Sequence, residues 1–428
     1  MVEIKPIKRV KGEIKISGDK SITHRAYIFS SISKGESFIK NPNKGEDTQR
    51  TLEIMRKVGA EIFIEEKGVR IKGIGFNGIK EPEDILFAGN SGTTIRLLAG
   101  LFSSIENKLF IITGDESLRN RPMRRVIEPI SKMGGLILGR ESGNYPPLAI
   151  FGKRLSGIEY ELKKPSAQVK SAIILATLNA REKSIIIEKI KTRDHTEIML
   201  KEFGGKIEVC EDKIIVYPIE NLIGREIFVP GDFSSASYFI LLSLLLPDSE
   251  ILIKDISLNP TRVYLLNKLI ENGGDIKILN EKILNGEKFG DLLVKTSLIK
   301  KIEIKREEAP LLIDELPLIG AIGAFLDEGV EVHGAEELRV KESDRIKVLV
   351  DNLKNLGVKA EELPDGFRVE KSKFIKKGVI KTANDHRIVL SFSVFGLLSK
   401  EGVILEEIES IKISFPDFFN LLKEVSYV

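Results

Sequence analysis

One pattern comes back five times along the chain: a helix-period segment, a glycine, then short stretches that alternate apolar and polar residues around a turn. It reads TLEIMRKVGAEIFIEEKGVRIKG, VIEPISKMGGLILGRESGNYPPLAIFG, IMLKEFGGKIEVCEDKIIVYP, LLNKLIENGGDIKIL and VLVDNLKNLGVKAEELPDGFRVEK. The glycines, Gly59, Gly134, Gly204, Gly273 and Gly357, suit a helix C-cap in the left-handed conformation, and the alternation after each suits a half-buried strand. Successive glycines lie 69 to 84 residues apart. That is too long for an ordinary solenoid repeat and fits a small α+β unit with two helices and about four strands. The C-terminal helix FPDFFNLLKEVSYV has no hairpin after it, and the N-terminal strands VEIKPIKRVKGEIKIS can supply one, closing a sixth unit. Six units divide into three and three, and a chain of 428 residues is too long for one ordinary core. The first and last segments then share a domain, with crossings near SGDK (17–20) and VPGD (229–232).

Charge excludes some partners. With 66 basic and 63 acidic residues the net charge is +3, so no global field argues for nucleic acid, and any anion site must be local. The one cysteine, Cys210, lies in a strand-like alternation and has no second thiol to pair with; a reducing compartment fits. The N-terminus is charged throughout, and the most apolar run, YFILLSLLLPDSEILI, is cut by proline and acids before it can span a bilayer. The expectation is a cytoplasmic protein with no membrane partner.

Local anion sites are offered at the starts of helices. GDKSITHR, GNSGTTIR, KPSAQVKSAIILAT, TRDHTEIMLKEF, GDFSSASYFILL, VKESDRIKVLV and TANDHRIVLSF each bring capping residues and, in most, a cation to a helix N-terminus. Asn90 or Ser91 caps the second, Ser166 the third. Free backbone amides and the positive helix end favour anions, and a glycine such as Gly92 admits a ligand close to the backbone. For any single case an ordinary N-cap, worth about 1 kcal/mol, is the simpler account. Repeated placement of Arg, Lys or His there is different, because a cation opposes the helix dipole unless it meets an anion. Arg25, Arg96, Arg121, Arg345 and Arg387 all lie beside such turns, and arginine grips carboxylate or phosphate with paired hydrogen bonds. Arg124 and Arg125 read as ordinary surface residues.

The four histidines show no metal spacing, and neither a phosphate-binding GxxxxGKS loop nor a dinucleotide GxGxxG is present. His24 and His195 are expected to face solvent or cap helices; His386, between Asp385 and Arg387, has a better functional case. The acids that complete the inventory are Asp314 and Glu315 in LLIDELP, and Glu342 and Asp344 in VKESDR. A carboxylate among cations or in an apolar pocket is suited to proton transfer.

Taken together, GDKSITHR, GNSGTTIR, GDESLRNRPM, PSAQVKSAIILA, TRDHTE, PGDFSSASYF, IDELP, RVKESDR, NDHRI and SFPDFF resemble, in order and over nearly the whole chain, the 5-enolpyruvylshikimate-3-phosphate synthase family. The resemblance implies an α+β, two-domain enolpyruvyl transferase fold: an inside-out α/β barrel of six βαβαββ repeats, three per domain. Residues 1–18 and 231–428 would form a discontinuous domain and 19–230 an inserted one, with the active-site cleft between them. It implies transfer of the enolpyruvyl group of phosphoenolpyruvate to the 5-hydroxyl of shikimate 3-phosphate, in aromatic amino-acid biosynthesis. The transfer would pass through a tetrahedral intermediate and release phosphate, with no metal or organic cofactor, in a protein expected to act as a monomer.

Matching motifs carry the family's roles over. Lys20, Ser21, Arg25, Ser166, Ala167, Gln168, Thr192, Asp314 and Lys341 match the shikimate 3-phosphate site. Lys20, Asn90, Gly92, Thr93, Arg121, Gln168, Arg345, His386 and Arg387 match the phosphoenolpyruvate site. Lys20 and Glu342 are the implied donors and acceptors of the C3 proton, and Asp314 the implied base for the hydroxyl. Three positions depart from the family pattern: Thr192 where serine is frequent, Ile413 where many relatives have lysine, and Glu337 where asparagine is frequent. A UDP-N-acetylglucosamine enolpyruvyl transferase shares the fold but has KN in place of KS and usually a loop cysteine. A non-catalytic anion-binding repeat protein would not need Asp314 and Glu342 among cations.

Overall fold

A computed structural model of the chain describes residues 1–299 and 301–427. The chain divides into two compact units: Met1–Ser17 with Pro230–Ile283 and Lys288–Val428, and Gly18–Val229 with Leu284–Glu287.

The unit built on Gly18–Val229 contains three sheets with one plan. Leu86–Phe87 runs parallel to Leu109–Thr113, which pairs antiparallel with Tyr145–Phe151, flanked by Leu136–Gly139. Glu159–Glu161, Ser184–Ile187, Lys213–Val216 and Ile207–Cys210 repeat that order, and Cys210 ends its strand exposed. In the remaining sheet the leading strand comes from the far end of the unit. Leu222–Ile223 and Glu226–Phe228 both run parallel to Ser33–Lys40, followed by Gly68–Ile74 and Glu61–Glu65. Each sheet is therefore a βαβαββ module, and the first borrows its opening strand.

In the other unit Arg9–Lys15 runs parallel to Glu250–Ser257, which pairs with Glu287–Lys295 and, beyond it, Asp275–Leu284. A second sheet holds Val330–Val332, Gly366–Val369 and Ala360–Leu363, and a third Val379–Ile380, Val403–Leu405 and Val2–Ile4. This corrects the expectation that the N-terminal strands jointly close the sixth module. Only Val2–Ile4 does so. Pro6 has no N–H for a ladder and separates the two strands. Beyond it, Arg9–Lys15 turns Val10 and Ile14 into the core as the opening strand of another module.

All five repeat glycines have φ between +81° and +116°, the left-handed turn that a side chain would strain. The helices after the opening strands are the inner ones and are buried on nearly every side, polar residues of Lys20–Ile32 included. Lys20–Ile32, Gly92–Ser103, Ala167–Thr177, Phe233–Leu245 and His386–Leu398 are buried nearly throughout, whereas Glu46–Lys57 and Arg124–Lys132 keep a solvent face. Two inner helices touch closely at Gly100, where a Cβ would stand 2.2 Å from the Ala172 carbonyl oxygen. No helix among the described residues is long and apolar enough to cross a membrane.

Candidate active site

Inner helices need caps, because their first amides have no intrahelical acceptor. In the Gly18–Val229 unit these are Asp19, Ser91 and Ser166, whose side chains accept from the N–H of Ile22, Thr94 and Val169. Hydrogen bonds tie the three capped ends together. Arg96 donates to Oε1 of Gln168 at 2.6 Å, and Nε2 of Gln168 donates to Thr93 Oγ1 at 2.9 Å. Arg25 donates from Nε to Thr196 Oγ1 at 2.6 Å, from Nη2 to Ser171 Oγ at 2.8 Å and from Nη1 to the Ser21 carbonyl at 2.8 Å. Arg193 donates to Ser21 Oγ at 3.2 Å. Arg121 closes the group by donating to the carbonyl of Asn90 at 3.1 Å and to its Oδ1 at 2.5 Å.

Gly92 has a specific reason to be glycine. A Cβ there would lie 2.9 Å from Nη1 of Arg96 and 3.4 Å from Nη1 of Arg121. Its φ is not in the left-handed range, so the requirement is space beside two guanidinium groups. Lys20, Ser21, Asn90, Thr93, Ser166, Ala167, Gln168 and Thr192 are half-buried at these ends. Arg25 is instead 3% exposed, and burial takes its guanidinium down to about 10, with Glu197 opposing and Arg193 reinforcing.

Lys20 is braced, and two expectations change. The side chain of Lys20 is 20% exposed and bonds Asp47 Oδ2 at 3.1 Å, so this ammonium is braced by an acid from the helix Glu46–Lys57. His24 does not face solvent. It is fully buried, its Nδ1 shares a proton with Thr51 Oγ1 at 2.7 Å, and Thr51 continues to Thr94 at 2.7 Å. His195 is also fully buried, with Nδ1 2.7 Å from Oε1 of Glu287. Both rings lie among the buried residues of their helices. Thr192 gives its N–H and hydroxyl to Oε1 of Glu188. Glu188 and Glu197 share the buried ammonium of Lys170, at 2.9 and 2.7 Å. Burial pushes the Glu197 carboxyl up against the pull of Lys170.

The buried ring of His24 predicts a pH effect. Burial first, then the charges of Lys20 and Arg25, hold its pKa well below the usual 6.5. The folded state thus refuses a proton that the unfolded chain accepts. Stability is intact above about pH 6.5 and falls as pH drops below it, by up to about 1.4 kcal/mol per pH unit from this group. Urea unfolding between pH 7.5 and 5 should show a shallower acid-side loss in His24→Gln. Parallel losses in variant and parent would mean that His24 titrates freely in the fold.

In the other unit the caps are Asp232, Asp344 and Asp385, accepting from the N–H of Ser235, Lys347 and Arg387. Asp385 is fully buried and carries most of the local order. Arg345 donates to it from Nε at 2.8 Å and from Nη2 at 3.2 Å, and Ser343 Oγ donates at 3.0 Å. Nη2 of Arg345 also donates to Glu342. Burial alone would lower the Arg345 pKa, but Asp385 and Glu342 reverse this and hold the charge firmly.

Arg387 is 6% exposed and stands with Nη2 3.9 Å from Asp314 Oδ1 and Nη1 3.4 Å from the Tyr238 hydroxyl. Burial again opposes its charge, and Tyr238, Asp314, Glu315 and Asp232 outweigh it. His386 is buried beside it, while Asp314, Lys341 and Glu342 are half-buried. Ile413 is 8% exposed, and the neighbouring Lys412 pairs with exposed Glu409, so Ile413 itself supplies no cation to a ligand.

Sequence reasoning did not assign Asp47, Lys170, Arg193, Arg262 or Asp385 to the site. Arg193 and Asp385 each adjoin or nearly adjoin a residue that was assigned, which was the available signal. Asp47 and Arg262 had none, because each meets its partner only through the fold. No group of three or more His, Cys, Asp or Glu placed to hold a metal occurs among the described residues.

The whole chain has counterparts. Residues 4–422 match the family profile of EPSP synthase (3-phosphoshikimate 1-carboxyvinyltransferase). A 3-phosphoshikimate 1-carboxyvinyltransferase of Persephonella marina is 46% identical over 428 residues, covering 99% of both chains. That of Aquifex aeolicus is 46% identical over 433 residues, covering 100% of both. A solved structure of EPSP synthase from Acinetobacter baumannii superposes with a TM-score of 0.87 at 36% identity, covering 100% of this chain and 98% of the other. With the repeat plan and the cation-bearing helix ends in place, the chain belongs to the EPSP synthase family, the 3-phosphoshikimate 1-carboxyvinyltransferases.

Proposed function

We propose that the residues at the capped helix ends of both units carry out the reaction of the family, on one pair of polyanionic substrates. The activity is 3-phosphoshikimate 1-carboxyvinyl transfer, in the shikimate pathway. Phosphoenolpyruvate and shikimate 3-phosphate each bear a phosphate and a carboxylate. The observation that carries the assignment is the cluster formed by Lys20, Arg96 and Arg121, each held by a named acceptor beside the helix start at Gly92. Such a cluster is pre-ordered for anions and needs little rearrangement to bind them.

In this reading Ser21, Arg25, Ser166, Ala167, Gln168, Thr192, Asp314 and Lys341 hold shikimate 3-phosphate. Asn90, Gly92, Thr93, Arg121, Gln168, Arg345, His386 and Arg387 hold phosphoenolpyruvate, and Lys20 touches both. Nε and Nη2 of Arg345 are given to Asp385 and Glu342, so a ligand meets its Nη1. The 5-hydroxyl oxygen adds to C2 of phosphoenolpyruvate as Asp314 takes the hydroxyl proton, and C3 gains a proton from Lys20 or Glu342. The resulting tetrahedral carbon then expels phosphate and C3 returns a proton, restoring the double bond. Arginines at the phosphate stabilise the charge that develops on the leaving group.

A phosphate-release assay tests the function directly. Release is expected with phosphoenolpyruvate and shikimate 3-phosphate together and not with phosphoenolpyruvate and UDP-N-acetylglucosamine. The reverse pattern would overturn it, and release with neither would favour a binding protein. Gly92→Ala tests the phosphoenolpyruvate assignment. The added methyl displaces the Arg96 fork and fills the space against Arg121, at the level of about one charged hydrogen bond, so KM for phosphoenolpyruvate should rise about tenfold. KM for shikimate 3-phosphate should stay nearly constant; an equal rise for both substrates would place Gly92 elsewhere.

A further inference from the structure

Arg262 has no role in the assignment above, yet it is one of two guanidinium groups that bracket Asp314. Its Nη1 stands 4.0 Å from Oδ2 of Asp314, and Nη2 of Arg387 stands 3.9 Å from Oδ1. The Arg262 side chain is 3% exposed against 20% for Asp314, so the cation lies deeper than the carboxylate.

Two features hold Arg262 there. The stretch LNPTR closes a side-chain turn in which Oδ1 of Asn259 accepts from the Thr261 N–H at 2.8 Å and from its hydroxyl at 2.7 Å. The Arg262 N–H donates to the Asn259 carbonyl at 2.8 Å. At the other end of the residue, Nη2 donates to Ser234 Oγ at 2.9 Å, Ser234 donates to Oε1 of Glu315, and Asp232 Oδ1 lies 3.6 Å from Nη2. Glu315 follows Asp314 in the chain. Arg262 therefore acts on both members of the pair, on Asp314 by charge and on Glu315 through a hydroxyl.

A buried ionic group is weak evidence for stability, because an apolar replacement of similar volume is often as stable. We infer that Arg262 is a positioning residue of the transfer, keeping Asp314 ionised and aimed so that it can take the proton of the substrate hydroxyl. The inference rests on the assignment of Asp314 as that base. Oxygens drawn to opposite arginines leave the carboxylate little rotational freedom, so the proton is received without reorganisation. Charged and titratable groups around Asp314 include Arg262 from the turn, Arg387 from the helix His386–Leu398, and Glu315 beside it. Asp232 and Tyr238, at and in the helix Phe233–Leu245, lie beyond the arginines. Without Arg262, Asp314 loses one of the two guanidinium groups that bracket it, and its proton uptake becomes easier.

The test is the pH profile of kcat at saturating substrates, with thermal melts alongside. In Arg262→Met, kcat at neutral pH should fall at least about tenfold, and the acid limb should move up by about one pH unit. KM for phosphoenolpyruvate should stay within about twofold. Arg262→Lys should return the acid limb to its original position while kcat stays reduced, since lysine keeps the charge and loses the fork. An acid limb in Arg262→Met that coincides with the parent overturns the inference. Should Arg262→Met fail to fold, Arg262→Lys and Ser234→Ala decide: kcat reduced several-fold with an unmoved acid limb supports the role, and normal kcat in both overturns it. Asp314→Asn separates the two readings. Loss of turnover there with a parental Arg262→Met profile sinks only the positioning role; retained turnover sinks both.

Discussion

Lys20→Met is expected to lower kcat at saturating substrates by at least about 10²-fold, the lower range for a positioned proton-transfer group. Methionine keeps much of the apolar stem and removes both the charge and the transferable proton. The substitution is not silent for the fold. Lys20 is largely enclosed and bonds Asp47, whose side chain is 7% exposed. Loss of that charged hydrogen bond should cost about 1.5–3 kcal/mol. A double variant, Lys20→Met with Asp47→Asn, removes the buried imbalance of charge and should recover much of the melting temperature without recovering turnover. Turnover that returns together with stability would show that Lys20 only braces the helix end. Near-normal kcat in the single variant would leave Glu342 to carry the C3 proton alone.

Asp385→Ala should have the larger effect on stability. The carboxylate is fully buried and accepts from Arg345, Ser343 and the Arg387 N–H. Its removal strands the buried Arg345 guanidinium, with Glu342 as its remaining anion, and uncaps the helix His386–Leu398. Breaking a buried ion pair from one side typically costs about 3–5 kcal/mol, and a lost cap about 1 kcal/mol more. Chemical denaturation monitored on the variant and its parent measures this directly. A loss below about 1 kcal/mol would mean that Asp385 orders ligand contacts and contributes nothing to the fold. Asp385→Asn retains the cap and the shape, so it should recover part of the stability but leave Arg345 less firmly charged.

The repeat was legible because each of its signals is local. A glycine after an apolar-periodic segment reports a left-handed cap, and each of the five has the positive φ that the reading requires. The helix starts were legible for the same reason: an Asp, Ser or Asn that caps a helix does so three residues away at most. Ser166, and Ser91 with Asn90 as its alternative, could therefore be read as caps from the order of residues alone, along with the cations beside them.

Partners far apart in the chain could not be read in that way. Lys20 meets Asp47 across 27 positions, Arg25 meets Thr196 across 171, and Arg96 meets Gln168 across 72. Nothing in either neighbourhood encodes the other, and burial follows the same rule. GDKSITHR gathers donors at a helix start, yet the helix it opens is buried on nearly every side, so His24 and Arg25 turn inward while Lys20 and Ser21 stay half-buried. The N-terminal strands likewise separate at Pro6 into different sheets, because their strand partners lie hundreds of residues further on. Residue order sufficed where capping, turns and periodicity act over a few residues; pairing and burial depend on which segments the folded core brings side by side.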